Sequence, residues 1–427
     1  MAKTLTTNCL KNAVNHSNPG IGKFSTETIK AYQEAGFLNF MCTTLVFHQE
    51  NFVVKYILKR FPKLISKLRS RYFSQIPPEK IKLYPFKELC RLLAVKFLSL
   101  TAADTVWEWA ELSFDKWVSK KLDKNVRIVH CYEHAALSSF KQAQKLGCFK
   151  ILEQISQHHT FYKKVIDQQF DQYPNLRSDY NEKILLESIK KRNRRKDGEY
   201  DLADLIICNS TFTMSTLIEA GIDRRKIVNI PLAYPKVDEV ENIQKQVDQF
   251  TFIYVGSLSL RKGTHILLEA WQKCFFDEQN VQLILAGSSS LPRGLTENLP
   301  QNVEFRGFLD KHELDNLYKQ ADLLVFPTLA DGFGMVITEA MAKGLPVLTT
   351  SNSAGYDLIE DGIDGFIIDA GSINALAKKM LWIVENKSIL PNMSKLIMEK
   401  AKKYQWSDYR IRLINNINER YLSYLNE

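Results

Sequence analysis

Apolar runs alternate with amphipathic segments along the second half of the chain. The runs are short enough for buried strands, and the segments between them, such as residues 264–273, keep their apolar side chains on one helical face. Strands that alternate with helices at this spacing predict a parallel, doubly wound sheet. We predict strands at 252–255, 281–287, 303–309, 323–326, 345–348 and 365–368, and helices at 264–273, 311–319 and 373–384.

The first half of the chain has a weaker pattern of the same kind. Residues 36–47 are apolar but too short to cross a bilayer, and we interpret them as a core element. No signal peptide and no uncharged apolar stretch of about 18 residues is evident, so we expect a cytoplasmic protein. We predict strands at 126–132, 149–153, 205–210 and 227–231, and helices at 25–34 and 135–146.

A chain of 427 residues is too long for a single core and favours two domains. The alternation is interrupted at residues 233–250, where Pro235 precedes a polar, charged run. We therefore predict an N-terminal lobe at 1–233, a linker at 234–250, a second lobe at 251–405 and a C-terminal helical segment at 406–427.

A glycine-bearing loop follows the apolar run at 323–326. The loop and its continuation, residues 331–346, have the sequence D-G-F-G-M-V-I-T-E-A-M-A-K-G-L-P. Gly332 and Gly334 allow backbone N–H groups to approach a ligand, and the helix that opens near Met335 presents its positive end. This arrangement predicts a phosphate site, although the same pattern also occurs in plain turns between a strand and a helix.

Two carboxylates flank that predicted phosphate site. Asp331 lies just before it, and Glu339 lies about one turn inside the following helix. Carboxylates do not bind phosphate, so the pair indicates recognition of sugar hydroxyls. Phosphate and polyol together indicate a sugar nucleotide.

A second glycine turn, at residues 256–263, follows the strand predicted at 252–255. Arg261 and Lys262 stand just before the next helix and suit an anionic leaving group. As an alternative, both cations could be solvated turn residues.

These two segments resemble the retaining glycosyltransferases of family 4, which carry a Glu-x7-Glu signature. Asp331 stands here in place of the first Glu. The resemblance implies that Asp331 and the Gly332-Phe333-Gly334 backbone meet the donor sugar and its diphosphate, and that Glu339 holds the ribose hydroxyls. It covers residues 250–405 most strongly.

The family's Val-Gly-x-Leu-x-x-x-Lys-Gly segment is similar to the turn that begins at Gly256. Lys262 matches its lysine by register, which implies a contact with the diphosphate. Ser257 occupies the position at which an Arg is common, and Arg261 is the candidate that replaces it.

The first half resembles the family at two places, and a separate glycine motif lies near its start. Residues 203–212 match an Ala-Asp-x-Ile-x-x-x-Ser-x-Phe pattern, and residues 152–158 match a segment whose His faces the reacting sugar in several members. His158 is our first candidate for that role, and the adjacent His159 is left open. Gly22 ends a Gly-x-Gly before a helix and could touch donor phosphate.

The resemblance implies the GT-B architecture, in which two Rossmann-like lobes hold the donor in the cleft. It implies transfer of a hexosyl group from a UDP- or GDP-sugar to a hydroxyl of a glycan, lipid or small molecule, with retention. The first lobe would bind the acceptor, and the C-terminal helix would pack back across that lobe. No Asp-x-Asp stands at a strand end, so we expect metal-independent transfer and no cofactor.

Positive charge is concentrated in one part of the chain. The net charge is +9, and residues 51–100 hold 12 Lys or Arg against 2 Asp or Glu. Within it, residues 54–72 place apolar and basic side chains on opposite helical faces. Such a helix either lies on an anionic membrane or packs in the lobe like any other. Residues 190–196 form another basic cluster, which we interpret as a solvated loop or an anion contact on the acceptor side.

Cysteine and histidine positions do not indicate a metal or disulfide framework. The seven cysteines are odd in number and scattered, which favours reduced and mostly buried thiols. His130 and His134 lie four residues apart without a Cys or carboxylate cluster, and we interpret them as packing or hydrogen-bonding residues.

Two other classes of function remain as alternatives. The first alternative is a catalytically weak protein with the GT-B fold that serves as a binding or assembly subunit. It is considered because Asp331 and Ser257 depart from the family pattern. A nucleic-acid-binding protein is the other, and we disfavour it because the basic stretch lacks interleaved aromatics and a recognisable motif.

Overall fold

The computed structural model describes residues 10–46, 76–177, 188–237, 249–276, 280–291 and 299–426. The basic segment predicted at 54–72 lies outside these ranges, and so does the linker from 238 to 248.

Seven parallel strands form the sheet of the first lobe in the described part of the chain. Their order across the sheet is β3-β2-β1-β4-β5-β6-β7. The strands are β1 Val14–Ser17, β2 Leu38–Thr43, β3 Ile81–Leu83, β4 Ile128–Tyr132, β5 Phe149–Gln154, β6 Leu205–Cys208 and β7 Ile227–Asn229.

A second parallel sheet of six described strands forms the other lobe. Its order is β10-β9-β8-β11-β12-β13. The strands are β8 Phe250–Val255, β9 Val281–Ala286, β10 Val303–Gly307, β11 Leu323–Phe326, β12 Val347–Thr350 and β13 Phe366–Ile368.

Fourteen α-helices lie within the described ranges and connect or cover these strands. In the first lobe they are α1 Lys23–Glu34, α2 Pro85–Phe97, α3 Leu100–Ser119, α4 Leu137–Lys145, α5 His159–Gln172, α6 Ser188–Leu202 and α7 Thr211–Glu219. Beyond them are α8 Thr264–Cys274, α9 Lys311–Gln320, α10 Met335–Met341, α11 Gly355–Leu358, α12 Ile373–Glu385, α13 Leu390–Lys403 and α14 Trp406–Asn426.

Each sheet reverses its winding direction at one point, between β1 and β4 in the first lobe and between β8 and β11 in the second. Ligands of such sheets bind beyond the carboxyl ends of the strands at this switch point. The predicted doubly wound architecture is confirmed, and both predicted donor loops follow strands that border the switch in the second sheet.

The C-terminal helix α14 returns to the first lobe. Its Tyr409 hydroxyl lies 3.2 Å from the hydroxyl of Thr28 on α1, and Arg410 forms ion pairs with Glu27 and Glu34. Trp406, Tyr409 and Leu413 on this helix are buried, so the helix ties the end of the chain to the first core.

The lobes also meet beside the cleft. His265 on α8 lies 2.8 Å from the side-chain oxygen of Gln169 on α5, and the Tyr173 hydroxyl donates to Glu269 at 2.9 Å. These contacts fix α8, which begins directly after the two predicted donor cations, against the first lobe.

The basic cluster at 190–196 is not a solvated loop, because it forms part of helix α6. Arg192 pairs with Asp104 and Glu108 on α3, and Arg195 pairs with Glu108. Two of the cations that suggested a loop, Arg192 and Arg195, are therefore neutralised across a helix–helix contact.

The cysteines, the apolar segment at 36–47 and the lengths of the helices can also be compared with the predictions. The six cysteines of the described ranges are free thiols, all buried except Cys90, which is half-buried. Strand β2 places most of the apolar segment at 36–47 in the core. None of the helices in the described ranges is long and apolar enough to span a bilayer.

Candidate functional site

The loop after β11 is shaped by its two glycines and by β12. The backbone N–H of Asp331 donates to the carbonyl of Asn352 at 3.0 Å, and the Asn352 amide donates to the carbonyl of Leu329 at 2.8 Å. Gly334 has φ +82° and directly precedes α10, without a side-chain cap on that helix. The loop therefore presents backbone rather than side chains at the start of α10.

Gly332 lies in direct contact with the first lobe. A Cβ atom at this position would overlap the carbonyl group of Ile155, which follows β5. The Gly332 carbonyl accepts hydrogen bonds from the Ser210 hydroxyl and, at 3.2 Å, from the Thr213 hydroxyl on α7. The predicted donor loop therefore closes against the first lobe, and only glycine fits there.

The predicted cations lie beside this loop. Lys262 forms an ion pair with Asp331, and the Arg261 guanidinium donates to the carbonyl of Ala330 at 2.9 Å. Gly263 next to them has φ +67°, and any side chain would overlap the carbonyl of Pro327. The two loops are thus fixed against each other, and Lys262 and Asp331 stand together in the cleft.

Burial changes the protonation equilibria of these cations. Desolvation, and then the nearby Arg261 guanidinium, lower the pKa of Lys262. Desolvation also lowers the pKa of Arg261. Both shifts mean that positive charge here is costly until an anion compensates it, and Asp331 is the anion in direct contact with Lys262.

Glu339 faces away from the cations, towards α9. Its carboxylate accepts a hydrogen bond of 3.1 Å from the Tyr318 hydroxyl, and burial raises its pKa. Leu314, one turn before Tyr318 on the same helix, lines a cavity of about 250 Å³ at the ends of β8, β9 and β10. Glu339 is thus held by α9, the helix that also borders this cavity through Leu314.

The remaining predicted residues fall on both sides of the cleft. Gly256 and the exposed Ser257 line the 250 Å³ cavity together with Gly287 and Phe308. Phe333 is buried, and its N–H lies 3.4 Å from the Asp331 carboxylate. In the first lobe Gly22 precedes α1, and its backbone N–H donates to the Ser25 hydroxyl at 3.0 Å.

His158 does not lie with these groups in the contacts that the structure describes. Its Nδ1 atom lies 2.7 Å from the Thr160 hydroxyl, and its ring packs against His159 and Tyr200. The groove that it lines contains residues of α5, of α6 and of the turn after α7, and none of the described residues of the second lobe. Burial, and then His159, lower the pKa of His158 to about 4, so the imidazole is neutral at neutral pH.

The first-lobe side of the cleft contains a cavity of about 420 Å³. It is bordered by the Gly22 turn, by Trp107 and by the strand-end segments that follow β4 and β5. Ser156, beside the Ile155 carbonyl that touches Gly332, lines this cavity. The cavity therefore opens next to the glycine loop.

A buried carboxylate, Glu133, supports this cavity. It accepts hydrogen bonds from the Ser156 hydroxyl at 2.6 Å and the Gln154 amide at 3.0 Å, and it pairs with Lys196 at 2.6 Å. Burial opposes ionisation, but the Lys196 ammonium outweighs it and the pKa of Glu133 falls to about 2. The residue is a fixed anion rather than a proton acceptor.

Sequence reasoning did not identify Glu133, Ser156 or Lys196 as a unit. The single usable signal was positional, because Glu133 and Ser156 both follow strands that end at the cleft. Lys196 comes from the basic cluster that had suggested a loop.

We expect the Lys196–Glu133 pair to determine how the stability of the first lobe varies with pH. Glu133 has a depressed pKa, so it contributes stability above its unfolded pKa, and that contribution is lost as the pH falls towards 2. In Lys196→Met the carboxylate keeps its burial but loses its cation. The variant should lose about 3–5 kcal/mol at neutral pH, and less at about pH 5, where the carboxyl group can take up a proton.

Urea denaturation of Lys196→Met at about pH 5 and about pH 7.5 measures this difference. The exposed Lys191→Met on the same helix is the matched control and should unfold like the wild type at both values. An equal loss for Lys196→Met at the two pH values would contradict a buried, ionised Glu133.

Comparisons with known proteins agree with this geometry. Residues 236–404 match the family described as glycosyl transferases group 1. A capsular polysaccharide biosynthesis glycosyltransferase, CapM of Staphylococcus aureus, is 32% identical over 148 residues, which are 33% of this chain and 38% of that protein. The chain spans about half the length of the curated relatives that it matches, between 38% and 61% for three of them.

Solved structures extend the likeness to both lobes. Anabaena Alr3699/HepE in complex with UDP aligns with a TM-score of 0.60 at 15% identity, over 95% of this chain and 100% of that one. Sucrose-phosphate synthase of Thermosynechococcus elongatus aligns with a TM-score of 0.61 at 17% identity, over 96% and 99%. The chain thus has the GT-B fold, and its residues 236–404 match the group 1 glycosyl transferases.

Proposed function

We propose that the protein is a glycosyltransferase that moves a hexosyl group from a nucleoside-diphosphate sugar to an acceptor hydroxyl. The observation that carries the proposal is the Lys262–Asp331 ion pair beside Gly332, at the point where the second lobe meets the first. The pair places a cation that suits a diphosphate next to a carboxylate that suits sugar hydroxyls. Both side chains belong to loops that are fixed against each other.

The leaving nucleoside diphosphate carries at least two negative charges. Lys262, Arg261 and the backbone amides around Gly332 and Gly334 are held in place before the donor arrives, and such preorganised charge is usually the largest catalytic contribution. Lys262 would exchange Asp331 for a phosphate oxygen, which restores its compensating anion. Because these cations serve the diphosphate, we propose that transfer needs no divalent ion there.

Asp331 would then be released to the donor sugar. We propose transfer with retention, through front-face attack and an oxocarbenium-like transition state, so that no protein nucleophile is required. The acceptor hydroxyl would enter through the 420 Å³ cavity of the first lobe, past Ser156. The role proposed for His158 requires its ring to turn from the Thr160 hydroxyl towards the donor, and His159 remains the alternative.

UDP is the nucleotide that the comparisons favour, with GDP as the other candidate. The Anabaena structure contains UDP, and a second structure of the same protein contains UDP-glucose. CapM is named for capsular polysaccharide biosynthesis, which favours a growing glycan as the acceptor over a lipid or small molecule. Glu339 would hold the ribose, and the cavity at Gly256 and Ser257 would hold the base.

A catalytically weak subunit with the same fold is the alternative. It is favoured by Asp331 and Ser257, which replace a Glu and an Arg of the related family pattern. Such a protein would bind the nucleotide but would neither transfer nor hydrolyse the donor sugar.

The first prediction from this proposal tests the donor clamp and the proposed function together. The wild type should release UDP or GDP from one of a panel of UDP- and GDP-hexoses, measured by a coupled nucleotide assay. Lys262→Ala should lower turnover by about 10²–10³, the cost of removing one preorganised donor, and Arg261→Ala should do similarly. Normal turnover in both variants would show that the cations are turn residues, and no turnover in the wild type would favour the weak subunit.

The second prediction separates the two carboxylates. Glu339→Gln should mainly weaken nucleotide binding, because ribose contacts exist in both the ground and the transition state. Asp331→Asn should lower kcat more than nucleotide affinity, and Asp331→Glu should be tolerated. Calorimetry gives the Kd of each variant for UDP, and steady-state kinetics gives its kcat. Equal losses of UDP affinity in Glu339→Gln and Asp331→Asn would contradict the assignment.

An exposed apolar surface on α2 supports the proposed contact with an anionic membrane. Phe86, Leu93 and Phe97 are 70%, 58% and 69% exposed and recur on one face of the helix. Lys87 lies 4.0 Å from the ring centre of Trp109, and Lys96 lies beside Phe97. Contiguous exposed apolar surface with flanking cations suits a bilayer with acidic lipids.

The third prediction follows from this surface. The protein should bind vesicles that contain phosphatidylserine, and binding should weaken as salt rises, because surface charge is screened within about 8–10 Å. Phe86→Ser/Leu93→Ser/Phe97→Ser should lower vesicle affinity at least about 100-fold through the loss of apolar burial. Ile411→Ser, an exposed apolar change on α14, is the control. Unchanged co-sedimentation of the triple variant would exclude α2 as the membrane contact.

A further inference from the structure

A groove on the first lobe, separate from the cleft lining described above, brings two imidazoles and a carboxylate together. His158 and His159 stand at the start of α5, and Asp197 faces them from α6. The His159 Nε2 atom lies 2.6 Å from an Asp197 oxygen, and the His158 Nε2 atom lies 4.0 Å from the same oxygen. All three potential ligand atoms lie within 4.8 Å of one another.

We infer that His158, His159 and Asp197 form a binding site for a divalent transition-metal ion of the zinc class. Two imidazole nitrogens and one carboxylate oxygen are a ligand set that such ions prefer, with a water at the fourth position. Around a tetrahedral zinc ion with bonds of about 2.0–2.2 Å, two ligand atoms lie somewhat farther apart than the donor and acceptor of a hydrogen bond. His159 and Asp197 would open slightly, and His158 would approach.

The neighbouring groups leave the necessary nitrogen atom available. Nδ1 of His158 lies 2.7 Å from the Thr160 hydroxyl and accepts from the Thr160 backbone N–H at 3.3 Å. For Nε2 to bind the ion, the ring proton moves to Nδ1, which then donates to the Thr160 hydroxyl in place of the longer contact with the backbone N–H. The His158 ring is buried, so its position is set by the surrounding first-lobe residues. Its backbone N–H is held by the Thr216 hydroxyl on α7 at 3.0 Å.

The charge of the groove also favours a cation. Asp197 and Asp201 line it, with Lys226 as the cation among its described lining residues. Asp223 also lines it but is paired with Arg225 at 2.7 Å, so it adds little free negative charge. Lys196, the next residue on α6, is turned inward to Glu133 at 2.6 Å and is therefore already compensated. The groove has a volume of about 450 Å³, which leaves room for metal-bound water.

A bound ion would connect the groove to the cleft. His158 follows Ile155 and Ser156, the segment that touches Gly332 and lines the first-lobe cavity. Fixing His158 and His159 to α6 would hold that segment in its observed position. The ion would act as a structural element of the first lobe, away from the diphosphate. With the ion bound, neither imidazole would turn to the donor sugar, so the site and the donor role proposed for His158 or His159 exclude each other, whereas the Lys262–Asp331 pair does not depend on the ion.

Cobalt titration of the untagged, chelator-treated protein tests this site. The wild type should bind one equivalent of Co²⁺ with the visible absorption of a tetrahedral ion, Zn²⁺ should displace it, and Zn²⁺ should raise the melting temperature. His159→Ala and Asp197→Ala should each lower Co²⁺ affinity at least about 100-fold, since even changes beyond the ligands cost 10–100-fold. His312→Ala, an exposed histidine on α9, is the matched control and should bind normally.

Circular dichroism of each metal-free variant establishes that it is folded before titration, and the half-exposed Asp197 makes Asp197→Ala the safer of the two. Saturable binding that is lost in Asp197→Ala and kept in His312→Ala would support the site. Absence of saturable Co²⁺ binding to the wild type, or binding that survives both ligand substitutions, would overturn it.

Discussion

The fit of Gly332 against the carbonyl group of Ile155 is the constraint on which the proposed site depends. No side chain can occupy that position, and the Gly332 carbonyl is held by hydroxyls of the opposite lobe. The glycine loop, the strand-end segment after β5 and the start of α7 are therefore fixed by one contact. A donor bound at this loop would have the first-lobe cavity beside its sugar without any larger rearrangement being required.

Charge compensation is the second principle of the site. Lys262 and Arg261 are held with little access to water, which makes their charges costly, and Asp331 compensates Lys262 directly. A diphosphate would supply the missing anion and free Asp331 for the sugar. In the first lobe Lys196 compensates the buried charge of Glu133, and the Glu133 carboxylate then orients the Ser156 hydroxyl. Each lobe thus presents a prearranged polar group to the cleft.

The second lobe was predictable because its signals are local. Strand-length apolar runs, glycine turns and the two acid positions follow one another within short stretches, and the observed strands agree closely with those predicted. The orientation of His158 was not predictable, since it depends on Thr160, Tyr200 and α6. The same holds for residues 190–196, because the carboxylates that pair with Arg192 and Arg195 lie on α3, far away in the sequence.

A crystal structure of the protein with UDP tests the central claim most directly. The account predicts that the β-phosphate lies within hydrogen-bond distance of the Lys262 ammonium and of the backbone amides around Gly332 and Gly334. It also predicts the ribose at Glu339 and a broken Lys262–Asp331 ion pair. UDP bound elsewhere, or bound with that ion pair intact, would contradict it.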